Sequence, residues 1–254
     1  MSNLPLVSII TPSYNQAQFL EETILSVLNQ DYPNIEYLIY DGGSTDGAVD
    51  IIRKHTRDIS FWESKPDEGQ THAINKGFRR AKGKYVGWLN SDDFLEPNIL
   101  GYIVDAFEND PAIGTVCGKI YLVNAESKKI GKRFNYGEIT AERLLNGGSQ
   151  INQPGSFHRR ELLEEYGNLD MSLNYVMDYE LWIKLAKHST VKQIDKFVAN
   201  HRLHASSKTQ SEFMNFIPEI KKVRKKYGGK RICGKAFHIL RVELGYSRRK
   251  LIGF

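Results

Sequence analysis

Four consecutive polar residues, Asn90-Ser91-Asp92-Asp93, directly follow the apolar run Tyr85–Leu89. Carboxylates gathered at a strand end repel one another unless a cation lies between them. Mg²⁺ and Mn²⁺ suit such a place, taking one or two carboxylates together with substrate phosphates. Asn, Ser and Asp also favour turns, so this segment alone leaves a metal site and a plain turn both open. A second cluster, Asp41-Gly42-Gly43-Ser44-Thr45-Asp46-Gly47, combines glycines that permit close backbone approach with a carboxylate able to accept from a ribose or base. A Gly-Gly turn with Ser44 or Thr45 capping the next helix explains the same residues. A third, Asp178-Tyr179-Glu180-Leu181-Trp182, opens an amphipathic stretch. There Asp178 reads either as an N-cap or as a base for an attacking hydroxyl. No Gly-Lys-Ser/Thr triplet and no dinucleotide glycine fingerprint occur, which argues against ATPase and dehydrogenase chemistry.

These clusters need elements to position them, and the pattern supplies an alternation. Leu6–Thr11, Ile35–Tyr40, Ile59–Glu63 and Tyr85–Leu89 read as strands. Between them lie helices from Ala17 to Gln30, from the Asp41–Gly47 turn to about His55, and over 70–82. Pro97 opens a further helix, Asn98–Glu108, and Gly114–Val123 reads as a longer strand. Alternation of this kind predicts an α/β fold, a mostly parallel sheet with helices on both faces. Ligands bind such sheets at the carboxyl ends of the strands, where Thr11, Asp41 and the Asn90–Asp93 segment fall. Patterning weakens over 135–175, read as loops and short helices. Tyr179–His188 reads as an amphipathic helix, and the tail after Ser206 as helical with a break at Gly228-Gly229.

Taken in order, five landmarks resemble the family-two inverting glycosyltransferases of the GT-A fold, the group that builds bacterial surface polysaccharides. They are Thr11-Pro12-Ser13-Tyr14-Asn15; Asp41–Gly47; Asp67-Glu68-Gly69-Gln70 with Ala73-Ile74-Asn75-Lys76-Gly77; Trp88–Asp93 with Pro97; and Asp178–Trp182. The resemblance runs from about Leu6 to about Thr209. It implies a GT-A domain over 1–210 and a basic, helical extension over 211–254. It also implies that Thr11, Pro12, Tyr14, Asn15 and Asp41 hold the nucleoside, with Tyr14 near the base and Asp67 and Gly69 lining the base pocket. Asn75 belongs to the same set, either at the donor or stabilising its loop. Asp92 matches the metal-binding carboxylate, with Ser91 and Asp93 beside it, and the metal would be Mn²⁺ or Mg²⁺. Asp178 matches the general base, and His204, in Arg202-Leu203-His204, is a metal or phosphate contact or a surface histidine. His158, in the Gln153–Arg160 segment, is an acceptor contact or a structural residue. Two positions depart from the pattern: Asn90 stands where many relatives have Asp, and Met177 where many have Glu. The first weakens the charge around a metal. The second lowers the pKa of Asp178 relative to theirs by removing a like charge.

The implied activity is transfer of a sugar from a nucleotide-diphosphate donor, with UDP the commonest nucleotide among look-alikes, to a saccharide or lipid-linked acceptor. A nucleotide-sugar-binding or scaffold domain without catalysis is the alternative. A nucleotidyltransferase is disfavoured, because Pro12–Asn15 occupies the place of a Gly- and Lys/Arg-rich loop. Hydrophobic residues at 41% and charged residues at 26% fit a globular chain. Two cysteines, far apart, fit a reducing compartment. No leader pattern and no bilayer-length apolar run is seen, so the expected place is the cytoplasm or the inner face of the cell membrane. The net charge of +5 is concentrated in the tail, where residues 219–254 hold twelve Lys or Arg against Glu219 and Glu243; the remainder is acidic. That tail lacks a nucleic-acid motif and reads as a binder of anionic lipid, with Ile232, Phe237, Ile239, Leu240, Val242 and Leu244 as an apolar face.

Overall fold

A computed structural model describes residues 4–135, 137–147, 151–205, 207 and 213–229. Its nine-stranded sheet has the order β3-β2-β1-β4-β8-β6-β9-β5, with β7 on β6. The strands are Val7–Ser13 (β1), Ile35–Asp41 (β2), Phe61–Ser64 (β3), Tyr85–Trp88 (β4), Phe94–Leu95 (β5), Ile113–Val123 (β6), Lys129–Arg133 (β7), Ser156–Arg159 (β8) and Thr190–Arg202 (β9). The helices are Ala17–Leu28 (α1), Ala48–Lys54 (α2), Gln70–Arg80 (α3), Leu100–Glu108 (α4), Ala141–Asn146 (α5), Arg160–Tyr166 (α6), Met177–Ala186 (α7) and Phe213–Lys226 (α8).

β3, β2, β1 and β4 pair in parallel, as continuous apolar runs predict. Alternation of side chains along each strand divides the core. Val7, Ile9, Tyr37, Ile39 and Tyr85 pack against α1, α2 and α4. Ile10, Leu38, Tyr40, Val86 and Trp88 pack with α3, α5, α6, α7 and α8 on the other face. The parallel pattern ends at β8, which inserts antiparallel between β4 and β6. That strand lies within 135–175, the stretch expected to hold only loops and short helices. Four residues after a Pro-Gly turn show no periodicity of their own. Pairing on both edges is what makes them a strand.

The close approach of α3 to β1 requires Gly77, because a Cβ there would sit 2.5 Å from both Cγ1 and Cγ2 of Ile10. Alanine gains about 1 kcal/mol of helix propensity over glycine, but overpacking against a buried, χ1-stiff isoleucine costs roughly 1–3 kcal/mol. Gly77→Ala is therefore expected to lower Tm by a few degrees in a thermal melt of the full chain.

The division expected after residue 210 does not coincide with a break in packing. Ile220 and Val223 of α8 are buried in the same core as α7, Lys226 pairs with Glu180 and Asp170, and the Tyr227 hydroxyl donates to Glu180. α8 is thus part of the first domain. The rest of the expected basic extension, residues 230–254, lies outside the described residues. Among those described, no helix is long and apolar enough to cross a membrane.

Candidate active site

The carboxyl ends of β1, β2 and β4 open on one cavity of about 850 Å³, within the usual range of ligand sites. At one end stand Pro12, Ser13, Tyr14, Gly42, Asp67 and Gly69. Tyr14 is 63% exposed, its ring free for a planar partner. A Cβ on Gly42 would press on Tyr14 Cδ2 at 3.2 Å and on both Asp67 oxygens at 3.3 Å, so glycine there lets the two side chains meet over the turn. Asp67 Oδ1 accepts from Gly69 N (2.8 Å), and Gly69 has φ +99°, a left-handed conformation suited to glycine.

Asn90, Ser91 and Asp92 line the same cavity. Asp92 Oδ2 lies 2.9 Å from His204 Nε2, and the Asp92 carbonyl accepts from Arg202 Nε (2.8 Å). Asp93 points the other way and is fully buried. Its Oδ1 accepts from Arg202 N (2.9 Å) and meets His201 Nδ1 at 3.1 Å. Burial raises the Asp93 pKa; on His201 burial acts downward, but the facing carboxylate outweighs it and leaves that imidazole raised. Adjacent acids therefore have separate tasks. Asp92 faces the cavity and Asp93 fastens β9.

Asn90 belongs to a chain of neutral amides. Gln70 Nε2 donates to Asn90 Oδ1 (2.8 Å), Asn90 Nδ2 to Gln153 Oε1 (2.9 Å), and Gln153 Nε2 to the Trp88 carbonyl (2.8 Å). An Asp at 90 would place a carboxylate against the Gln153 carbonyl oxygen, so the departure at this position is tied to Gln153.

The far end is built by α5, α7 and α8, with Leu144, Tyr175, Trp182, Phe216, Ile220 and Arg224 on its wall. Asp178 reaches the cavity there from the first turn of α7. Burial pushes its pKa up from 3.8 to about 6, opposed by the Tyr179 amide donating to Oδ1 (2.7 Å). A carboxylate with that pKa is a competent base near neutrality. The buried neighbour Met177 adds no countercharge.

Other expected ligands stand behind the wall. Thr11 is buried, its hydroxyl 3.0 Å from Tyr37 Oη, inside the sheet. Asp41, 2% exposed, accepts from Gly43 N (3.1 Å), Ser44 N (2.8 Å) and Ser64 Oγ (2.7 Å) at Oδ2 and from Ser44 Oγ at Oδ1, holding its own loop. Asn15 joins that loop to β1: its amide donates to Ser44 Oγ (2.8 Å) and its Oδ1 accepts from Thr45 N (2.9 Å). Asn75 exchanges two hydrogen bonds with the Leu169 backbone (2.9 and 3.0 Å), which stabilises a loop. Of the two readings of His158, acceptor contact and structural residue, the acceptor contact is the one the structure contradicts. Its ring is buried in β8, 3.0 Å from Thr115 Oγ1, and burial lowers its pKa to about 3. Sequence reasoning missed Gln70, Gln153, His201 and the α8 residues. Two of them had a signal: Gln70 stood in a quoted landmark and Gln153 opened the Gln153–Arg160 segment.

The residues fit a divalent cation in part. Asp92 offers oxygen and His204 nitrogen, both acceptable to Mn²⁺. Among the described residues no group of three His, Cys, Asp or Glu is placed to hold a metal. The donor's phosphates would have to complete the coordination.

Residues 8–167 match the model for glycosyl transferase family 2. The chain belongs to that family. Among curated family relatives, it is 29% identical over 214 residues to chondroitin synthase of Escherichia coli, covering 82% of this chain and 30% of that one. With a hyaluronan synthase of Pasteurella multocida it shares 28% identity over 210 residues, 82% of this chain and 21% of the other. With an uncharacterized glycosyltransferase of Rickettsia prowazekii (strain Madrid E) it shares 30% over 219 residues, 82% and 67%. The chain thus spans less than a third of the length of the two synthases. In fold it is similar to TarS 1–349 of S. aureus in complex with UDP-GlcNAc (TM-score 0.69, 17% identity, 96% of this chain and 73% of that one). It is also similar to the Pyrobaculum calidifontis mannosyltransferase in complex with GDP-Man and Mn²⁺ (TM-score 0.64, 21% identity, 96% and 70%). The sheet with its helices on both faces is the GT-A fold of this family.

Proposed function

We propose that this family-two member is an inverting glycosyltransferase moving a sugar from a nucleotide-diphosphate donor, a UDP-sugar first, to a saccharide or lipid-linked acceptor in cell-surface polysaccharide assembly. The observation that carries the reading is a single cavity lined by both Asp92 and Asp178 together with the Tyr14–Gly42–Asp67 platform. The nucleoside packs on Tyr14 with Asp67 at the base edge, and the diphosphate lies against Ser91 and Asp92. A divalent cation bound by Asp92 and His204 would supply neutralisation of the diphosphate's charge as it leaves. From α7, Asp178 takes the proton of the acceptor hydroxyl, which attacks the anomeric carbon on the face opposite the departing phosphate. One displacement inverts configuration. Most of the acceleration comes from positioning and fixed charge. The synthase names of the relatives support polysaccharide as the product class, and UDP-GlcNAc in one neighbour supports the donor class.

A thermal-shift panel of UDP- and GDP-sugars, each with and without Mn²⁺, tests this. A true donor at about 100 Kd adds roughly 2.7 kcal/mol to stability. Stabilisation by at least one nucleotide-sugar, larger with Mn²⁺, is expected; a flat panel refutes the reading.

The same proposal places the protein on the cytoplasmic face of the membrane through its basic tail. α8 is needed by the core, so the tail to remove begins at residue 230, which leaves seven Lys or Arg to be deleted. At roughly 1 kcal/mol each near an anionic surface, they suffice for attachment. A chain ending at Gly229 is expected to stay in the supernatant with phosphatidylserine vesicles while the full chain sediments. Equal sedimentation of both refutes the tail's role.

A further inference from the structure

The loop leading into α7 is held from two sides. On the α3 side, Thr71 Oγ1 donates to the Leu173 carbonyl (3.1 Å), and Asn75 makes its paired bonds with Leu169. On the α8 side, one carboxylate gathers three consecutive amides. Glu219 accepts from Asn174 N at Oε1 (2.9 Å), and from Tyr175 N (2.9 Å) and Val176 N (3.2 Å) at Oε2. These amides lie at the N-terminus of α7, whose N-cap Val176 has no oxygen-bearing side chain and makes no side-chain cap. A helix start leaves its first N–H groups unsatisfied and carries positive partial charge. A carboxylate brought from another helix meets the helix start at Val176 N and fastens the two amides before it, Asn174 N and Tyr175 N, by charge-assisted bonds. Asp178 is two residues beyond the last clamped amide. The helix that brings Glu219 also lends Phe216, Ile220 and Arg224 to the cavity wall, and it lies beyond residue 167, where the family match stops.

We infer that Glu219 is a positioning residue for the reaction: by fixing the turn 174–176 it aims Asp178 at the acceptor end of the cavity. The inference rests on Asp178 being the base. Glu219 is not among the residues that line the cavity. Its loss therefore acts on the chemical step through the backbone that bears Asp178. A contact needed only for packing would lower Tm and leave the ratio of kcat to donor KM alone, because the donor end is built by β1, β2 and α3.

The test compares the full-length chain with Glu219→Gln, Glu219→Ala and Asp178→Asn. Hydrogen–deuterium exchange is read at the amides of 174–176, which needs no ligand. Turnover is read as nucleotide release from UDP-GlcNAc or GDP-mannose, whichever gives the larger thermal shift with Mn²⁺. In Glu219→Ala these amides are expected to exchange faster and kcat to fall roughly 10- to 100-fold, as a displaced catalytic group implies, with donor KM within about twofold of the parent. Glu219→Gln, isosteric and still offering one acceptor oxygen, is expected to fall between the two. Unchanged exchange at 174–176, unchanged kcat in a folded Glu219→Ala, or a kcat loss matched by weaker donor binding overturns the inference. Full turnover in Asp178→Asn overturns the base reading beneath it. An inactive Asp178→Asn beside a fully active Glu219→Ala removes the positioning role alone.

Discussion

Asp178→Asn is expected to cut sugar transfer by about 10²- to 10⁴-fold, the usual share of a general base, while the donor's affinity stays within about twofold. Asn keeps the shape of the carboxylate and one oxygen to accept from Tyr179 N, so the first turn of α7 stays in place. What it loses is the one carboxylate that the described residues of α5, α7 and α8 offer to the cavity. The pH profile carries a second signature. Asp178 must be ionised to act, and burial holds its pKa near 6, so kcat of the parent should rise with pH through about 6; any residual rate of the variant should lack that limb. Stability runs the opposite way. A carboxyl whose folded pKa is raised from 3.8 to about 6 holds its proton better in the folded chain. Its stabilising contribution is fully present below pH 4 and lost as pH rises through 6. At pH 7 the ionised group is a net cost on the order of 3 kcal/mol, which Asn removes. The variant should melt no lower than the parent at pH 7 and lose that advantage below pH 4. A folded variant with full transfer, or one whose inactivity follows a lower Tm, refutes the assignment.

What the sequence made legible follows from how local each signal is. β1, β2 and β4 are mostly apolar on both faces and show as runs interrupted only by residues such as Ser8 and Glu36, and the segments that follow them must lie at the carboxyl edge whatever else happens. That is why Tyr14, Asp67, Ser91 and Asp92 are found on one wall with the Asp178 of a later helix. Polarity at a strand end does not say which way a side chain turns, however. Asp92 and Asp93 are indistinguishable as letters, and only pairing with β9 buries the second. Thr11 and Asp41 carry the same ambiguity: one reaches back to Tyr37 in the sheet, the other is consumed by its own loop. β8 and β9 were illegible for another reason. Ser156–Arg159 and the charged Thr190–Arg202 become strands only by pairing with β4 and β6. The tail was legible as helical, but its basic character masked the packing of α8 into the core, because Ile220 and Val223 are too few to stand out between lysines.

The second large effect is expected at Asp92. Asp92→Ala should abolish the Mn²⁺-dependent part of donor stabilisation in the thermal-shift panel while leaving the metal-free part, because in the proposed reading the nucleoside packs on Tyr14 and Asp67 rather than on this residue. Of the carboxylates on the cavity wall, Asp67 is bonded to Gly69 N at the base end and Asp178 stands by α7. That leaves Asp92 as the acid which the proposed reading puts beside the diphosphate. Its partner His204 is nitrogen-bearing and 2.9 Å from Oδ2, a pair that a cation joins without moving either residue far. Asp92→Asn separates charge from shape. It keeps an oxygen within reach of His204 and keeps the loop that Thr23 ties to the Ser91 and Asp93 carbonyls (3.0 and 2.7 Å), but supplies no negative charge. If the carboxylate acts on the metal, Asn should be as defective as Ala in the Mn²⁺ increment, with a donor Kd weakened at least tenfold in Mn²⁺, about 1.4 kcal/mol, and unchanged without it. If Asn binds donor in Mn²⁺ as the parent does, Asp92 is a hydrogen-bonding strut for His204, and the cation must be held by the donor's own phosphates.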